Sequence, residues 1–333
     1  MIPNAVTASP GDTLAQLAGG CAIQASLQAV ARLGVADVLN DVPQSAAALA
    51  SAVGAQADPL DRALRLLASY GVFEKVDGLW AHTPVSLLLR RDHPQSMVAL
   101  VLMLGDPAFW TCLGELDYSV RTGLAVADKV LDGGVWGYFR SHPDKARVFD
   151  DAMTGKAHGQ IAGVLAAYDF SAFAVVADIG GGRGHLVKAI VDNVPGIRGV
   201  LFDQAHVIEA ASELASDRLT LQAGDFFKGS LPSADAYVLM EVIHDWDDDR
   251  SRAILSAVRS AAKPSAKVLL IESIIEETPG PSWPKILDLW MLAISGKQRT
   301  QREYAELLRA AGLTFTREIE TFAGVSIIEG TVA

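Results

Sequence analysis

The chain has 333 residues, half of them hydrophobic, and a formal net charge of −11. This length predicts two domains, and the acidic balance argues against nucleic acid as the main partner. Cys21 and Cys112 lie far apart without metal-ligand spacing, which indicates a reduced, cytosolic protein with no metal site. No secretory signal is visible, and the apolar runs are shorter than a membrane span, so we expect no membrane partner.

Residues 1–95 predict helices followed by a hairpin. Helical spacing covers residues 13–38 with a step skipped at Gly20, Ser45 precedes a short helix over 46–50, and Asp58-Pro59 opens another. Asp77-Gly78 between two short extended runs predicts a β-hairpin. This pattern is typical of a winged helix.

A winged helix invites a DNA-binding interpretation. Residues 1–95 hold six Lys and Arg but eight Asp and Glu, so the basic footprint of a DNA reader is missing. We interpret this region as a winged-helix dimerisation domain that gives a homodimer, with gene regulation as the minor alternative. Residues 96–170 stay apolar and helical, with turns near Gly105-Asp106-Pro107, Asp132-Gly133-Gly134 and His142-Pro143. They are interpreted as a helical connector.

From residue 171 to 333, strands alternate with helices, which predicts an α/β domain with a Rossmann-like, seven-stranded sheet. The predicted strands are 175–179, 199–202, 219–223, 236–239, 268–271, 314–319 and 325–330, and the predicted helices are 185–193, 206–215, 248–263, 284–294 and 301–311. Only a short turn separates the last two strands, so the sheet should be parallel with one reversed strand at the end.

A glycine cluster follows the first of these strands. Gly180, Gly182 and Gly184 form G-x-G-x-G after the acid Asp178, whereas a dinucleotide loop needs G-x-G-x-x-G and would place its last glycine at His185. The loop therefore suits a nucleoside ligand without pyrophosphate better than NAD. By itself it is also compatible with a glycine-rich turn that binds nothing.

Chemically capable side chains follow four of the strands, where a doubly wound sheet binds its ligands. Asp203 lies 21 residues beyond Gly182, the usual spacing of a ribose-binding acid. Asp225 precedes Phe226 and Phe227, a group suited to an adenine ring and its amine.

His244 follows the fourth strand and has the pKa of a general base near neutrality. Glu272, at the end of the next strand, can orient it by accepting its other ring N–H. Alone, a histidine is more often structural, and a single acid at a strand end is more often a solvated loop residue.

Taken together, the motifs resemble those of the caffeic acid-type O-methyltransferases, and most of all the bacterial branch that methylates small natural products. The matching stretches are 31–37, 69–73, 149–153, 178–184, 202–203, 224–227, 244–246, 271–273 and 296–300. The resemblance spans nearly the whole chain. It implies S-adenosyl-L-methionine as methyl donor, an intertwined homodimer and a small aromatic or polyketide-like hydroxyl compound as acceptor.

The resemblance also implies residue roles. The donor site is expected to comprise Asp178, Gly180, Gly182, Asp203, Gln204, Gly224, Asp225, Phe226 and Met240. His244 is the implied general base, with Glu272 and the residue at position 298 beside it. The connector is expected to contribute to the acceptor pocket, which is assigned to Phe149, Met153, Asp245, Trp290 and Met291.

Two positions depart from the family pattern. Gln298 stands where the family has a second acid, and glutamine cannot stabilise an imidazolium by charge. Met240 stands where the family has a basic or polar contact to the donor. Because relatives of this fold bind the donor yet perform other reactions, hydroxylation, decarboxylation or a pericyclic reaction is the alternative activity.

Overall fold

The computed structural model describes residues 9–229 and 231–332 and divides the chain into two compact units. The first unit comprises residues up to Thr111 together with Tyr138–Lys156, and the second comprises Cys112–Gly137 together with the residues from Ala157 onward. Among the helices described, none combines the length and the apolar character needed to cross a bilayer.

The N-terminal part of the first unit consists of helices and one hairpin. Its elements are α1 (Pro10–Ala18), α2 (Gly20–Leu33), α3 (Val35–Val38), α4 (Ala46–Val53), α5 (Ala57–Ala68), β1 (Phe73–Val76), β2 (Leu79–His82), α6 (Pro84–Leu87) and α7 (Val98–Leu104). Gly34, at φ 70°, ends α2, and the Ser45 side chain caps α4 by accepting the Ala48 backbone N–H at 3.2 Å. Asp77 and Gly78 both have positive φ, as a tight hairpin turn requires. The predicted hairpin and helical character are confirmed, but the helical stretch expected over 13–38 is divided into α1, α2 and α3 by breaks at Gly19 and Gly34.

Five further helices follow: α8 (Pro107–Gly114), α9 (Leu116–Thr122), α10 (Val126–Val130), α11 (Gly134–Ser141) and α12 (Pro143–Ala167). The helical character of residues 96–170 is confirmed. The predicted turn at 105–107 precedes α8, and those at 132–134 and 142–143 separate α10, α11 and α12, whereas the breaks at 115 and 123–125 were not predicted. The chain passes from one unit to the other within α8, α11 and α12, since Thr111, Gly137 and Lys156 are the last residues before each transition.

The second unit contains a seven-stranded sheet with helices between its strands. Its elements are β3 (Val175–Ile179), α13 (His185–Asn193), β4 (Arg198–Asp203), α14 (Ala205–Ala210), β5 (Leu219–Ala223), β6 (Ala236–Met240), α15 (Asp248–Ala261), β7 (Lys267–Glu272), α16 (Trp283–Ala293), α17 (Gln301–Ala310), β8 (Leu313–Glu320) and β9 (Ser326–Val332). The strand order is β5-β4-β3-β6-β7-β9-β8. The predicted α/β class and strand number are confirmed.

The reversed strand is β9, which runs antiparallel to both β7 and β8. It lies inside the sheet, because β8 returns to form the outer edge. The burial pattern explains this order: β9 is buried along most of its length, whereas β8 exposes several residues, as an edge strand can.

Two helices of the second unit end at least two residues before the predicted position. The helix expected over 206–215 ends at Ala210 and is followed by a separate 3-10 turn at Ser212–Leu214. The helix expected over 248–263 ends at Ala261, because Pro264 disfavours helical conformation in the residue before it and cannot continue the hydrogen-bond ladder.

Candidate active site

The glycine loop connects β3 to α13 at the carboxyl edge of the sheet. Gly180, Gly182 and Gly184 have φ values of 70°, 56° and 71°. These lie in the left-handed backbone region, which is strained for residues with a side chain. A Cβ at Gly180 would lie 3.0 Å from Val242 and 3.8 Å from the Phe226 ring. A side chain at this position would crowd Val242 and reach the Phe226 ring, so the loop passes close to both residues.

Asp178 lies beneath the loop and is almost fully buried. Its Oδ2 accepts the backbone N–H of Val187 at 3.3 Å, and a Cβ at Gly181 would come within 2.5 Å of its Cγ. Burial raises the pKa of Asp178 to about 7. Within the part of the chain that the structure describes, Oδ1 has no hydrogen-bond partner. The contacts of Asp178 thus join the glycine loop to the first turn of α13.

Asp203, the last residue of β4, contacts the same loop. Its Oδ2 accepts the Gly182 N–H at 2.9 Å, and its Oδ1 accepts the Gln204 N–H at 2.6 Å. The Gly224 N–H donates to the Asp203 carbonyl at 2.9 Å, so the ends of β4 and β5 are joined. A Cβ at Gly224 would lie 2.4 Å from the Phe202 ring, which leaves room only for glycine.

Asp225 and the aromatic rings after it form the next part of this edge. Asp225 Oδ1 accepts the Phe227 N–H at 2.9 Å, which lowers the pKa of the carboxyl group. The rings of Phe226 and Phe227 meet the ring of Trp246 edge-on, with centroids 5.9 and 5.0 Å away. Two acids, a glycine loop and an aromatic cluster are therefore brought together, as a nucleoside site requires.

His244 lies in a 3-10 turn that directly follows β6. Its side chain is 8% exposed, and Nδ1 lies 3.1 Å from Glu272 Oε2 while Nε2 lies 3.4 Å from Asp245 Oδ1. Glu272 Oε1 accepts the backbone N–H groups of Ile243 and His244 at 2.9 and 3.3 Å, which fixes the carboxylate. Burial lowers the pKa of His244, but the negative charges of Glu272 and Asp245 outweigh it and hold the pKa well above its ordinary value.

Gln298 also contacts the imidazole. Its Nε2 lies 2.9 Å from His244 Nδ1, and its backbone N–H donates to Asp288 Oδ1 at 2.9 Å. One ring nitrogen cannot donate to Glu272 and accept from Gln298 at the same time. The two side chains therefore favour opposite states of Nδ1: Glu272 favours the protonated nitrogen, and the Gln298 amide N–H favours the bare one.

Arg299 is a supporting residue that the sequence analysis did not single out, although it belongs to the 296–300 stretch. It is fully buried, and its guanidinium donates to the carbonyls of Ile243 at 3.2 Å and Trp246 at 2.8 Å. It also forms a 2.8 Å ion pair with Asp248. Arg299 thereby stabilises the turn that carries His244.

The remaining predicted residues lie in both units. Met240 ends β6, and Trp290 and Met291 are largely buried on α16. A Cβ at Gly296 would lie 2.4 Å from the His244 carbonyl oxygen and 3.1 Å from the Met291 sulfur, which places Met291 beside the His244 segment. Phe149 and Met153 belong to the part of α12 in the first unit, where the Phe149 ring lies 4.8 Å from that of Phe139.

Helix α16 also borders a largely apolar cavity of about 410 Å³. Leu113, Ile286, Leu289 and Trp290 are among its lining residues, and His244 is not. Trp290 is thus the one predicted acceptor residue that borders it.

Comparisons with known proteins agree with this arrangement. Residues 15–92 match an O-methyltransferase dimerisation domain, and residues 114–314 match an O-methyltransferase domain. The phenazine O-methyltransferase PhzM of Lysobacter antibioticus is 38% identical over 323 residues, which cover 95% of this chain and 94% of that protein. The mitomycin biosynthesis 6-O-methyltransferase of Streptomyces lavendulae is 35% identical over 333 residues, covering 98% and 95%. The SAH-bound structure of CalO1, a methyltransferase in calicheamicin biosynthesis, matches with a TM-score of 0.88 at 35% identity and covers 96% of this chain and 97% of its own.

Proposed function

The chain belongs to the S-adenosylmethionine-dependent O-methyltransferase family, and from this premise we propose that it methylates a hydroxyl group of a small aromatic or polyketide-like natural product, with His244 as general base. The observation that carries the proposal is the His244 imidazole, buried at the same sheet edge as the glycine loop, with the Glu272 carboxylate 3.1 Å from Nδ1. The acceptor class is supported by relatives that carry the names of phenazine and mitomycin methyltransferases.

S-adenosylmethionine fits the residues at this edge. We assign the nucleoside to the carboxyl edge of the sheet beside the glycine loop and Phe226, with Asp203 on the ribose hydroxyls and Asp225 on the adenine amine. Asp203 already accepts two backbone N–H groups, so its carboxylate is fixed in place before a ligand arrives. When bound, the donor supplies an electrophilic methyl group on a positively charged sulfur.

His244 acts on the acceptor. Its Nε2 takes the proton of the acceptor hydroxyl, while Nδ1 keeps its own proton beside the Glu272 carboxylate, whose Oε2 lies 3.1 Å away. The imidazolium that results is balanced by the carboxylates of Glu272 and Asp245, whose charges already raise the pKa of His244. Holding the acceptor oxygen and the base in one geometry supplies much of the remaining rate enhancement.

Product analysis tests this proposal. The full-length protein is incubated with S-adenosylmethionine and a panel of hydroxylated aromatic compounds, and the products are examined by mass spectrometry. Methyl transfer adds one methylene to the acceptor and releases one equivalent of S-adenosylhomocysteine. A product changed in any other way would establish the non-methylating alternative, for which Gln298 in place of an acid is the motive.

We further propose a homodimer that is formed by the N-terminal helices, in a reduced cytosolic setting. Residues 15–92 match a dimerisation domain, and Leu14 and Leu17 of α1 are 69% and 73% exposed in the single chain. Apolar side chains of this size on adjacent turns of one helix are suited to a partner surface. Cys21 and Cys112 are both free thiols, as a reduced compartment favours.

A further inference from the structure

Three buried polar atoms in the segments around His244 have no hydrogen-bond partner among residues 9–229 and 231–332. They are Glu272 Oε2, Gln298 Oε1 and the Tyr304 hydroxyl. Each belongs to a side chain that is at most 1% exposed, so bulk water does not reach it. Because an unpaired buried polar atom is costly and rare in native proteins, these three atoms require a partner.

The backbone places Glu272 and Gln298 side by side. Ile274, two residues beyond Glu272, forms a parallel bridge with Arg299, the residue after Gln298. Both side chains then reach one ring nitrogen, since Glu272 Oε2 and Gln298 Nε2 lie 3.1 and 2.9 Å from His244 Nδ1. The two acceptor atoms therefore belong to neighbouring side chains behind the imidazole.

Tyr304 of α17 approaches the same place. The guanidinium carbon of Arg299 lies 5.9 Å from the centroid of the Tyr304 ring. Burial, and after it the negative charge of Glu272, raise the pKa of Tyr304 well above its ordinary value, as expected of a phenol near that carboxylate. Arginine can donate to the hydroxyl oxygen but cannot accept a hydrogen bond, so the hydroxyl proton of Tyr304 stays available.

One water molecule matches this set of atoms. Glu272 Oε2 and Gln298 Oε1 are acceptors, and the Tyr304 hydroxyl is a donor. A buried water donates two hydrogen bonds and accepts at least one, and it typically makes about three bonds to groups that are otherwise unpaired. Direct pairing would leave one acceptor without a partner, because the hydroxyl has a single proton for two acceptors.

We propose that Tyr304 is a positioning residue that anchors one buried water, which in turn donates to Glu272 Oε2 and Gln298 Oε1. Its effect on turnover rests on the role of general base proposed above for His244. A hydrogen bond from the water stabilises the negative charge on Glu272, so the carboxylate attracts a proton to the imidazole less strongly. The water thereby limits the rise in the pKa of His244.

A crystal structure of the unaltered protein tests the water directly. One ordered water should lie within hydrogen-bond distance of all three atoms, and it should be missing from the structure of Tyr304→Phe. Direct hydrogen bonds among the three side chains, or a water that persists in Tyr304→Phe, would overturn the assignment.

Thermal unfolding supplies a second test, with Tyr237→Phe as the matched control. Tyr237 is also fully buried, and its hydroxyl donates to the Pro232 carbonyl at 2.8 Å. Removing a paired hydroxyl destabilises a protein, whereas removing an unpaired buried one is neutral or stabilising. We therefore expect both variants to lower Tm, and an unchanged or higher Tm in Tyr304→Phe would contradict the proposal.

The pH dependence of kcat separates positioning from a purely structural role. Tyr304→Phe leaves every charge in place, and the charged residues that contact the imidazole or its supporting segments are Asp245, Glu272, Asp288, Lys297 and the ion pair of Arg299 with Asp248. The acid limb should move to higher pH by roughly half a unit to one unit, the scale of one hydrogen bond to a charged group, and should stay in place in Tyr237→Phe.

Affinity for S-adenosylhomocysteine should remain nearly intact in both variants. A limb that stays fixed or moves to lower pH in Tyr304→Phe would overturn the positioning role. If the unaltered protein transfers no methyl group, the proposed function fails, whereas the crystal structure and thermal unfolding still decide whether Tyr304 anchors the water.

Discussion

Replacing Gln298 with glutamate places a third carboxylate against His244. Gln298 Nε2 lies 2.9 Å from Nδ1, so a glutamate in the same position would bring an oxygen to hydrogen-bond distance of the imidazole. Two unit charges 4 Å apart interact by about 4 kcal/mol at an effective dielectric constant of 20, which corresponds to roughly 3 pKa units. Repulsion between the new carboxylate and Glu272 offsets much of this gain, because both face the same ring nitrogen. We therefore expect the pKa of His244 to rise on the order of one unit.

The sign of the effect on turnover follows from the role proposed for His244. Nε2 of His244 must be unprotonated to accept a proton from the acceptor. Turnover therefore falls as the pH drops through the pKa of His244. A higher pKa in Gln298→Glu moves this acid limb to higher pH. At a fixed pH on the acid side, turnover should fall about tenfold if the pKa of His244 rises by about one. At high pH it should be maintained or improved, because a more basic imidazole is a better proton acceptor.

The assay is the pH dependence of kcat, measured from release of S-adenosylhomocysteine. Gln301→Glu is the charge-matched control, since Gln301 is exposed at the start of α17 and should leave the limb in place. Gln298→Leu removes the amide without adding charge and should not move the limb upward. A limb that stays fixed or moves to lower pH in Gln298→Glu would refute the reasoning that His244 is the titrating base.

Four further predictions concern the base, the donor, the supporting arginine and the assembly. His244→Ala should lower kcat by about 10²–10⁴ and leave donor affinity nearly intact in calorimetry, and full activity would exclude it as the base. Asp203→Ala should weaken binding of S-adenosylhomocysteine roughly tenfold or more with no effect of added Mg²⁺, and unchanged affinity would contradict the ribose assignment. Arg299→Lys loses the fork that holds the Ile243 and Trp246 carbonyls, so denaturant unfolding should show a loss of about 1–3 kcal/mol, whereas the exposed control Arg302→Lys should not. Light scattering should give twice the mass of one chain, and a stable monomer at micromolar concentration would argue against the N-terminal interface.

Much of the fold could be predicted from the sequence because its signals are local. Asp77-Gly78 specifies a hairpin by its backbone preference, and Gly180 to Gly184 specify a turn between a strand and a helix. The place of β9 inside the sheet could not be predicted in the same way. It depends on which of the last two strands buries both faces, and a short turn between them is compatible with either order.

The site shows the same limit. Residues at strand ends, such as Asp203 and His244, could be named because parallel strands bring their carboxyl ends to one edge. Arg299 and Gln160 are distant in sequence from the groups that they contact. Only the tertiary structure brings Arg299 to the Ile243 carbonyl and Gln160 to Glu241. The structural role of a buried arginine is identified from the backbone carbonyls to which it donates hydrogen bonds, and a sequence does not show these partners.

Gln298 affects the pKa of His244 mainly because it adds no negative charge beside the imidazole. Glu272 and Asp245 already hold the pKa of His244 well above its ordinary value, so the imidazole starts from a state that favours the proton. A general base works best when its pKa lies near the working pH, and a third carboxylate would raise the pKa of His244 further. Gln298 carries no charge and fills the same position against the ring. In the proposed mechanism, Gln298 therefore avoids a further rise in the pKa of His244 without opening a gap beside the imidazole.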